Sequence, residues 1–312
     1  LPENVLTNAD LERMVDTSDD WIVTRTGIKE RRIAAENEST SDMAAKAAKD
    51  ALKDAGLEPE DIDLIIIATI TPDMFFPSTA CIVQDKLGAR KVPAFDIAVA
   101  CSGFIYGLTI ADSFIKNGTY KHALVIAAEK LSAVTDWEDR STCVLFGDGA
   151  GAAVLGPVEK GGILNASLGS DGSKGDLLQL PAGGSRMPAS IKTVENKLHT
   201  IKMEGNVLFK HAVKMMADAA MSVTEPLGLK GDDINLIIPH QANIRILHSV
   251  AKRLGVDPEE KLYLNIDKYG NMSAASSAVA LTEAVEQKRI KKGDIVLMDA
   301  FGGGLTWGAL LI

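Results

Sequence analysis

A short segment of the chain occurs twice, and this repeat restricts the folds that the sequence can adopt. Residues 56–66 and 228–238 are identical at seven of eleven positions, at an offset of 172 residues. The same offset places residues 123–126 on residues 295–298. Because each copy joins apolar runs to helix-like segments, we predict two copies of one unit of alternating strands and helices with parallel pairing. The predicted halves span residues 1–160 and 161–312.

Local signals predict the individual elements of the first half. Thr7-Asn8 caps a short helix, and the alanine-rich residues 41–55 form a helix that ends at Gly56. Residues 62–70 form a strand, and their near-continuous apolar run indicates burial on both faces. The fold class is therefore α/β. Further strands are predicted at residues 123–127 and 152–155.

Two glycine-rich segments, residues 146–149 and 301–304, align at an offset of 155 residues. The glycines of residues 146–151 alternate strictly and strand-like residues follow them. We exclude a dinucleotide site, because that site requires a helix at this point. Residues 301–304 contain too much glycine for a regular strand. They form either a tight corner or a source of backbone N–H groups for an oxyanion.

Cys101 is the candidate nucleophile. It follows the strand-like residues 96–100 and lies at the start of an apolar helix predicted over residues 102–116. A helix N-terminus stabilises a thiolate, so we expect a lowered pKa for Cys101. The alternative is a buried structural cysteine, which is what most free cysteines are. Cys81 and Cys143 lie in apolar patterns without a glycine turn, and we interpret both as structural.

The repeat brings two further polar residues to the Cys101 side of the fold. Cys101 aligns with Ser273, which lies two residues after Asn271. His240 follows the repeated strand, and a helix is predicted from His240 to about Leu254. Ligands of α/β sheets bind beyond the carboxyl ends of strands, so Cys101, His240 and Asn271 converge there if the halves pack about a pseudo-twofold axis. The alternative for His240 is a structural role. Asn271 could also cap a helix, which is compatible with an amide that points into the cleft.

Bulk properties exclude several classes of protein. The chain of 312 residues carries a net charge of −9, which argues against general nucleic-acid binding. Its purely apolar runs are too short to cross a bilayer. Three cysteines cannot all pair and no secretory segment is visible, so we expect a cytoplasmic protein. No pattern predicts a metal site.

Two polar clusters are candidate ligand surfaces. Trp21 lies four residues before Arg25 and could stack on a flat charged ligand, with a surface loop anchored by one aromatic residue as the alternative. A basic stripe is predicted on the helix after His240, with a second basic cluster near residue 210. This stripe is either a solvated face or a dock for an acidic partner. The stripe contains Arg245, His248, Lys252 and Arg253, and the second cluster contains Lys210 and Lys214.

Six segments together resemble the β-ketoacyl-[acyl-carrier-protein] synthase III family, the initiating condensing enzymes of bacterial type II fatty-acid synthesis. The resemblance implies an α/β thiolase-like fold, in which two pseudo-symmetric halves form a five-layered α-β-α-β-α sandwich. It covers essentially the whole chain. The segments are residues 15–22, 100–104, 146–151, 239–243, 270–276 and 301–308.

This resemblance implies a Cys-His-Asn triad. Cys101 attacks an acyl-CoA primer, with acetyl-CoA the expected one, and coenzyme A leaves. His240 and Asn271 stabilise the enolate that forms when malonyl-acyl carrier protein loses CO2, and this enolate attacks the acyl group. The backbone N–H groups of Cys101 and Gly303 form the oxyanion hole. Acyl-CoA is a substrate, so no cofactor is implied.

Further roles follow from the same resemblance. Trp21 and Arg25 sandwich the adenine of coenzyme A, with Arg140 on its other side. Phe76 reaches the acyl pocket of the partner subunit in a homodimer. The pantetheine tunnel is lined by Thr17, Phe209 and Asn243. The carrier protein docks on Lys210, Arg245, Lys252 and Arg253, and no nucleic-acid or membrane partner is implied.

Two features depart from the family. Met272 stands where the family commonly has threonine, and the family's first strand would lie just before Leu1.

A thiolase or hydroxymethylglutaryl-CoA synthase relative is one alternative, but a thiolase needs a second catalytic cysteine and none follows Cys143. Elongating condensing enzymes have a second histidine in place of Asn271, which favours the initiating type. A non-catalytic carrier-binding relative is the other alternative, and acyl-chain preference is not set by these motifs.

Overall fold

The computed structural model describes all 312 residues and contains twelve strands and twelve α-helices. None of the helices combines the length and the apolarity needed to cross a membrane. The strands are β1 (Asn4–Thr7), β2 (Glu30–Ile33), β3 (Leu64–Ala68), β4 (Ala94–Ile97), β5 (Ala123–Glu129), β6 (Gly149–Leu155), β7 (Asn165–Ser170), β8 (Leu178–Gln179), β9 (Lys202–Met203), β10 (Leu236–Pro239), β11 (Val296–Gly302) and β12 (Thr306–Leu311). The helices are α1 (Asn8–Glu12), α2 (Asp19–Thr26), α3 (Thr40–Ala55), α4 (Thr79–Leu87), α5 (Gly103–Lys116), α6 (Arg140–Cys143), α7 (Ile191–Glu195), α8 (Gly205–Thr224), α9 (Ile244–Leu254), α10 (Pro258–Lys261), α11 (Ile266–Tyr269) and α12 (Ala275–Glu286).

Eight strands form two four-stranded sheets of related topology. The order in the first sheet is β4-β3-β5-β6, with β3 parallel to β4 and β5, and with β6 antiparallel to β5. The order in the second sheet is β10-β11-β12-β7, where β10 and β11 are parallel and the other neighbours are antiparallel. The predicted parallel pairing is therefore confirmed for β4-β3-β5 and for β10-β11, and wrong for the other neighbours in the two sheets. β6 is an edge strand, whereas β12 also pairs with β7.

Three apolar clusters pack the helices and the two sheets together into five layers. One cluster lies between the two sheets and includes Phe104 of α5 and Val279 of α12. A second cluster packs α3 and α4 on the outer face of the first sheet through Ala48 and Val83. A third packs α8 and α9 on the outer face of the second sheet through residues such as Leu247. The predicted α-β-α-β-α sandwich is confirmed.

The offset between the two copies of the repeat changes by one residue from the first pair of equivalent strands, β3 and β10, to the second pair, β5 and β11. Leu64 pairs with Ala123 in the first sheet, and Leu236 pairs with Val296 in the second. β3 and β10 therefore align at the predicted offset of 172, but the offset between β5 and β11 is larger by one, and the alignment predicted for these strands is wrong. The shift matters because side chains alternate across a strand, and this register points both Ala123 and Val296 into the central cluster.

The predicted equivalence of the two glycine-rich segments is also wrong. Phe301 and Gly302 lie inside β11, which corresponds to β5, whereas Phe146 precedes β6. The irregular corner is confined to residues 303–305. Pairing with β12 supplies the hydrogen bonds that keep this glycine-rich run extended, against the low strand propensity of glycine.

Local signals set most element ends correctly. Thr7 is the N-cap of α1, as predicted. α3 begins at a capping box formed by Ser39 and Asp42 and ends before Gly56, whose φ of +65° suits glycine. α5 begins one residue after its predicted start and ends where predicted. β3 is shorter than the predicted strand over residues 62–70, but it is buried on both faces as expected.

Candidate active site

Cys101 lies in a tight turn between β4 and α5. The turn is a 3₁₀ helix whose first residue, Ala100, has a φ of +46°, a conformation that L-residues rarely adopt. A Cβ at Gly103 would lie 2.7 Å from Ala68 Cβ, and a Cβ at Gly302 would lie 2.6 Å from the backbone nitrogen of Cys101. Because the first half packs on one side of this turn and the second half on the other, Cys101 is held between them and is 8% exposed.

The side chain of Cys101, the predicted nucleophile, is a neutral thiol. Burial raises the pKa of Cys101 to about 12; the Ser273 hydroxyl lowers it and the Glu129 carboxylate raises it by smaller amounts. The expected lowering of this pKa is therefore wrong. Cys101 precedes the first residue of α5, and the loss of hydration around the sulfur outweighs the stabilisation that the helix N-terminus offers.

His240 follows β10 directly. Its backbone N–H donates to the carbonyl oxygen of Asp299 at 2.7 Å, which continues the pairing with β11 by one residue. The imidazole is buried, and its Nδ1 has no hydrogen-bond partner in the chain. Burial lowers the pKa of His240 to about 4, so the ring is neutral near neutral pH. A neutral imidazole can donate one hydrogen bond and keep its proton.

The side-chain amide of Asn271 has a defined orientation. Its Oδ1 accepts a hydrogen bond from the Ser273 N–H at 2.8 Å, which leaves the Nδ2 group as the donor that faces away from this turn. The backbone N–H of Asn271 donates to the Leu145 carbonyl at 2.9 Å. The prediction that Asn271 also caps a helix is wrong, because α12 begins at Ala275 and Ala274 is its N-cap.

Backbone contacts bring these residues to one edge of the sheets. β10 and β11 are parallel neighbours, so His240 and the Gly302 end of β11 lie at the same edge. Gly302 contacts Cys101, and the start of α5 packs against Ala274, three residues after Asn271. This edge lies beyond the carboxyl ends of the parallel strands, where ligands of α/β sheets bind. Cys101, His240 and Asn271 are therefore all buried at this edge, while their roles stay predictions.

Gly303 lies beside this region, just after β11. Its backbone N–H donates to no backbone acceptor, so this donor is free to bind an oxyanion. Its carbonyl oxygen accepts a hydrogen bond from the Thr306 hydroxyl at 3.2 Å. Residue 303 is also closely packed, since a Cβ there would lie 3.1 Å from the Leu178 carbonyl oxygen.

Both arginines of the predicted adenine site lie on the Trp21 ring. The guanidinium carbon of Arg25 is 4.6 Å from the ring centroid and that of Arg140 is 5.1 Å from it. Arg140 also donates to the Asp16 carbonyl at 2.7 Å. The predicted arrangement, with a base between Trp21 and Arg25, therefore requires that an arginine leaves the ring. The Thr17 hydroxyl nearby is buried without a partner, so it is free for a ligand.

The helix predicted from His240 begins four residues too early, because α9 starts at Ile244. Asn243 is the N-cap of α9: its Oδ1 accepts from the Arg245 N–H, and its Nδ2 donates to the Arg25 carbonyl at 2.9 Å. Asn243 thus links α9 to α2. The Arg245 guanidinium lies 5.6 Å from the Phe209 ring centroid. Phe209, predicted to line the pantetheine tunnel, is therefore a neighbour of Arg245, predicted to bind the carrier protein.

The predicted docking and acyl-pocket residues are at the surface. Phe76 is 84% exposed and its neighbour Phe75 is 80% exposed, on the loop after β3. Cys81 is exposed on α4, so its interpretation as a structural cysteine is wrong, whereas Cys143 is fully buried in α6. The exposed predicted docking residues are Lys210, Arg245, Lys252 and Arg253.

Sequence reasoning missed two buried acids near the site. Glu129 ends β5 and Asp299 lies in β11, and neither is exposed to solvent. Burial raises the pKa of Glu129 to about 7 and that of Asp299 to about 8. The available signal was an acidic residue at the end of, or within, an otherwise apolar strand run.

The fold is that of the thiolase-like condensing acyltransferases. Cys101 comes from the N-terminal part of the chain, and His240 and Asn271 come from the C-terminal part. A family model described as 3-oxoacyl-[acyl-carrier-protein] synthase III matches residues 95–172, and its C-terminal counterpart matches residues 225–312. The chain belongs to the β-ketoacyl-[acyl-carrier-protein] synthase III family.

Individual relatives cover the whole chain. The β-ketoacyl-[acyl-carrier-protein] synthase III of Caldanaerobacter subterraneus subsp. tengcongensis is 62% identical over 100% of this chain and 94% of its own. That of Clostridioides difficile is 58% identical over 100% and 95%. Among solved structures, the synthase III from Aquifex aeolicus has a TM-score of 0.92 and 54% identity, and that from Thermus thermophilus has 0.93 and 46%. Each of these two alignments covers 100% of this chain and 96% of the other.

Proposed function

We propose that the chain condenses an acyl-CoA primer, with acetyl-CoA as the first candidate, with malonyl-acyl carrier protein. The products are a 3-oxoacyl-acyl carrier protein, coenzyme A and CO2. Membership of the family supports this reaction. The observation that carries the assignment of residues is the packing of the Cys101 turn against Gly302, at the end of the strand next to His240.

In the first half-reaction Cys101 attacks the thioester carbonyl of the primer. A thiolate is a strong nucleophile and an adequate leaving group, so it suits two successive acyl transfers. The N–H groups of Cys101 and Gly303 stabilise the tetrahedral intermediate, and the unpaired Gly303 N–H supports this role. Loss of one such donor raises a barrier by about 2.7–4 kcal/mol.

In the second half-reaction His240 and Asn271 donate hydrogen bonds to the thioester oxygen of the malonyl group. Negative charge develops on this oxygen as CO2 leaves. The lowered pKa of His240 supports the role, because a neutral imidazole stabilises the enolate without protonating it before it attacks. The Asn271 amide is oriented for donation by its bond to the Ser273 N–H.

The substrates reach this buried site from the surface. Coenzyme A would lie along Thr17, Trp21 and Arg140, where a buried unpaired hydroxyl and two guanidinium groups can hold its polar parts. The exposed cations of the basic stripe suit an acidic carrier protein, and attraction across such a patch mainly raises the association rate. Acyl-CoA is a substrate in this scheme, and no cofactor takes part.

A homodimer fits two surface features. Phe75 and Phe76 are large apolar side chains that are almost fully exposed. β4 is an edge strand with no neighbour on its outer side, and such edges pair with other chains. We also infer a cytoplasmic enzyme, and we divide it into halves of residues 1–160 and 161–312.

Mass spectrometry of the intact protein after incubation with a panel of acyl-CoAs tests the first half-reaction and reports the chain-length limit. One acyl group should be added, and peptide mapping should place it on Cys101. Cys81→Ser is the matched control, because Cys81 carries an exposed thiol that has no role in the proposed reaction. This variant should be acylated on Cys101 to the wild-type extent. A chain that takes up no acyl group from any acyl-CoA would be a non-catalytic relative, and the proposal would fail.

A further inference from the structure

A buried carboxyl group beside the nucleophile has no part in the mechanism above. Glu129 Oε2 accepts hydrogen bonds from the Thr71 hydroxyl at 2.6 Å, the Thr69 hydroxyl at 3.2 Å and the Ile70 N–H at 3.1 Å. These donors are neutral, so no cation compensates a charge on Glu129. A buried acid without a cationic partner is unfavourable for stability, which points to a functional reason for its presence.

Packing places Glu129 next to the Cys101 turn. The Cβ position of Gly103 lies 2.7 Å from Ala68 Cβ, so the turn packs against the residue that precedes Thr69, a hydrogen-bond partner of Glu129. The thiol and the carboxyl are close enough for the Glu129 charge to raise the pKa of Cys101.

The loop after Asn271 closes the other side of this space. Glu129 pairs with Gly149 across the first sheet, and the Met272 sulfur lies 2.5 Å from the Cβ position of Gly149. Ala274, on the far side of Ser273, lies 3.3 Å from the Cβ position of Gly103. Ser273 is therefore held between the end of β5 and the Cys101 turn.

Ser273 connects the two groups. It is 2% exposed, and its hydroxyl has no hydrogen-bond partner in the resting arrangement. The same hydroxyl lowers the pKa of both Cys101 and Glu129, which agrees with its place between the end of β5 and the Cys101 turn. A hydroxyl can donate and accept at once, and rotation about its C–O bond lets it pass on a proton.

We propose that Glu129 accepts the proton that Cys101 loses on acylation, through the Ser273 hydroxyl, and returns it to the sulfur of the departing coenzyme A. The proposal rests on the proposed acyl-CoA reaction. Cys101 Sγ gives its proton to Ser273, which gives its own to Glu129, and the Sγ–acyl bond forms. The bond between the acyl carbon and the coenzyme A sulfur then breaks with its electron pair, and that sulfur takes the proton back. Glu129 touches no substrate, so it acts as a positioning residue through Ser273.

The electrostatics of the pair favour this coupling. A thiolate and a carboxylate side by side in a buried space repel each other, so both do not ionise together. Transfer of the proton from Cys101 to Glu129 keeps the net charge of the pair constant and avoids a second buried anion. Burial raises the pKa of Glu129 to about 7, which suits a group that gains and loses a proton near neutral pH.

Two rates measured on the same variants test the relay. Coenzyme A release in a single turnover with acetyl-CoA requires the proton to return to the leaving sulfur. Alkylation of Cys101 by iodoacetamide, measured on its peptide, releases iodide and needs only the first transfer, the loss of the thiol proton. Both reactions need this loss, so in Glu129→Gln we expect both to slow by about 100-fold. The wild-type rates should rise with pH as Glu129 ionises near pH 7, and this rise should be absent in the variant.

Ser273→Ala should also slow both reactions by about 100-fold, because it removes the hydroxyl that passes on the proton. Alanine tolerates the positive φ at this position, as Ala100 does at +46°. Ser277→Ala is the control, because this buried serine of α12 also lacks a hydroxyl partner, and both rates should persist.

Unchanged or faster acylation in Glu129→Gln would show that the carboxylate is a bystander and would overturn the relay. Slow rates that still rise with pH around 7 in Glu129→Gln would show a structural role and would overturn it as well. If Glu129→Gln does not fold, Ser273→Ala decides alone. Failure of the proposed function is separate, since the wild type would then release no coenzyme A.

Discussion

The substitution Gly302→Ala tests whether the end of β11 positions the nucleophile. A Cβ at residue 302 would lie 2.6 Å from the Cys101 backbone nitrogen and 3.1 Å from its Cβ. Ordinary contact begins near 3.4 Å, so the Cys101 turn must move by about 0.8 Å. Gly302 does not have a positive φ, so the substitution adds this overlap without backbone strain.

A displacement close to 1 Å at a reacting group lowers a rate by about 100-fold. We therefore expect the acetylation rate of Cys101 to fall by about 100-fold in Gly302→Ala. Overpacking of this kind also lowers stability by about 1–3 kcal/mol, and urea unfolding measures that loss. The matched control is Gly184→Ala, since no atom lies within 4 Å of its Cβ position, and its rate and stability should match the wild type.

Acetylation is followed by rapid quenching and intact-mass measurement at temperatures below the unfolding transition of both variants. A folded Gly302→Ala protein that acetylates within about threefold of the wild-type rate would refute the reasoning. It would mean that the turn absorbs the overlap without moving the sulfur.

Three further predictions follow from the site. His240→Ala or Asn271→Ala should leave acylation of Cys101 within about threefold but lower release of labelled CO2 from malonyl-acyl carrier protein by about 100-fold, and equal losses in both steps would contradict the division of roles. Relative to His240→Gln, the wild type should lose up to about 3 kcal/mol of unfolding free energy as the pH falls from about 7 to 4. In this pH range the histidine of the unfolded chain, with a pKa of 6.5, binds a proton, whereas the buried ring stays neutral until the pH reaches its own pKa of about 4. Chemical denaturation at several pH values measures the unfolding free energy of both proteins. Curves of unfolding free energy against pH that are parallel for the wild type and His240→Gln would disprove the prediction. Arg245→Glu with Lys252→Glu should raise the KM for the carrier protein by about 10-fold and leave that for acyl-CoA unchanged, with the exposed Lys49→Glu as control; an equal effect on both substrates would exclude a docking role.

Local chemistry made part of the fold predictable. Ser39 and Asp42 form a capping box and Gly56 adopts a left-handed conformation, so both ends of α3 follow from a few neighbouring residues. The continuous apolar run of β3 indicated burial on both faces for the same reason. Signals of this kind act within a few residues and do not depend on the rest of the chain.

Predictions that depended on distant residues were less accurate. The predicted register of β11 was wrong by one residue, because its pairing with β10 and β12 decides which side chains face the central cluster. The helix after β10 begins at Ile244 because Asn243 caps it and also binds the Arg25 carbonyl, a contact across 218 positions of the chain. Phe301 and Gly302 remain extended because β12 pairs with them.

The sequence alone determined the duplicated α/β architecture, the small residues around Cys101 and the polar residues that follow the strands, since these depend on periodicity and local spacing. The tertiary structure decided the charge state of each group in the site. Burial leaves Cys101 as a thiol and His240 as a neutral imidazole, and the packing of three separate segments places Glu129 and Ser273 around the Cys101 turn. Hydration is lost only where residues far apart in the chain come together, so the pKa of a site residue is a property of the folded molecule.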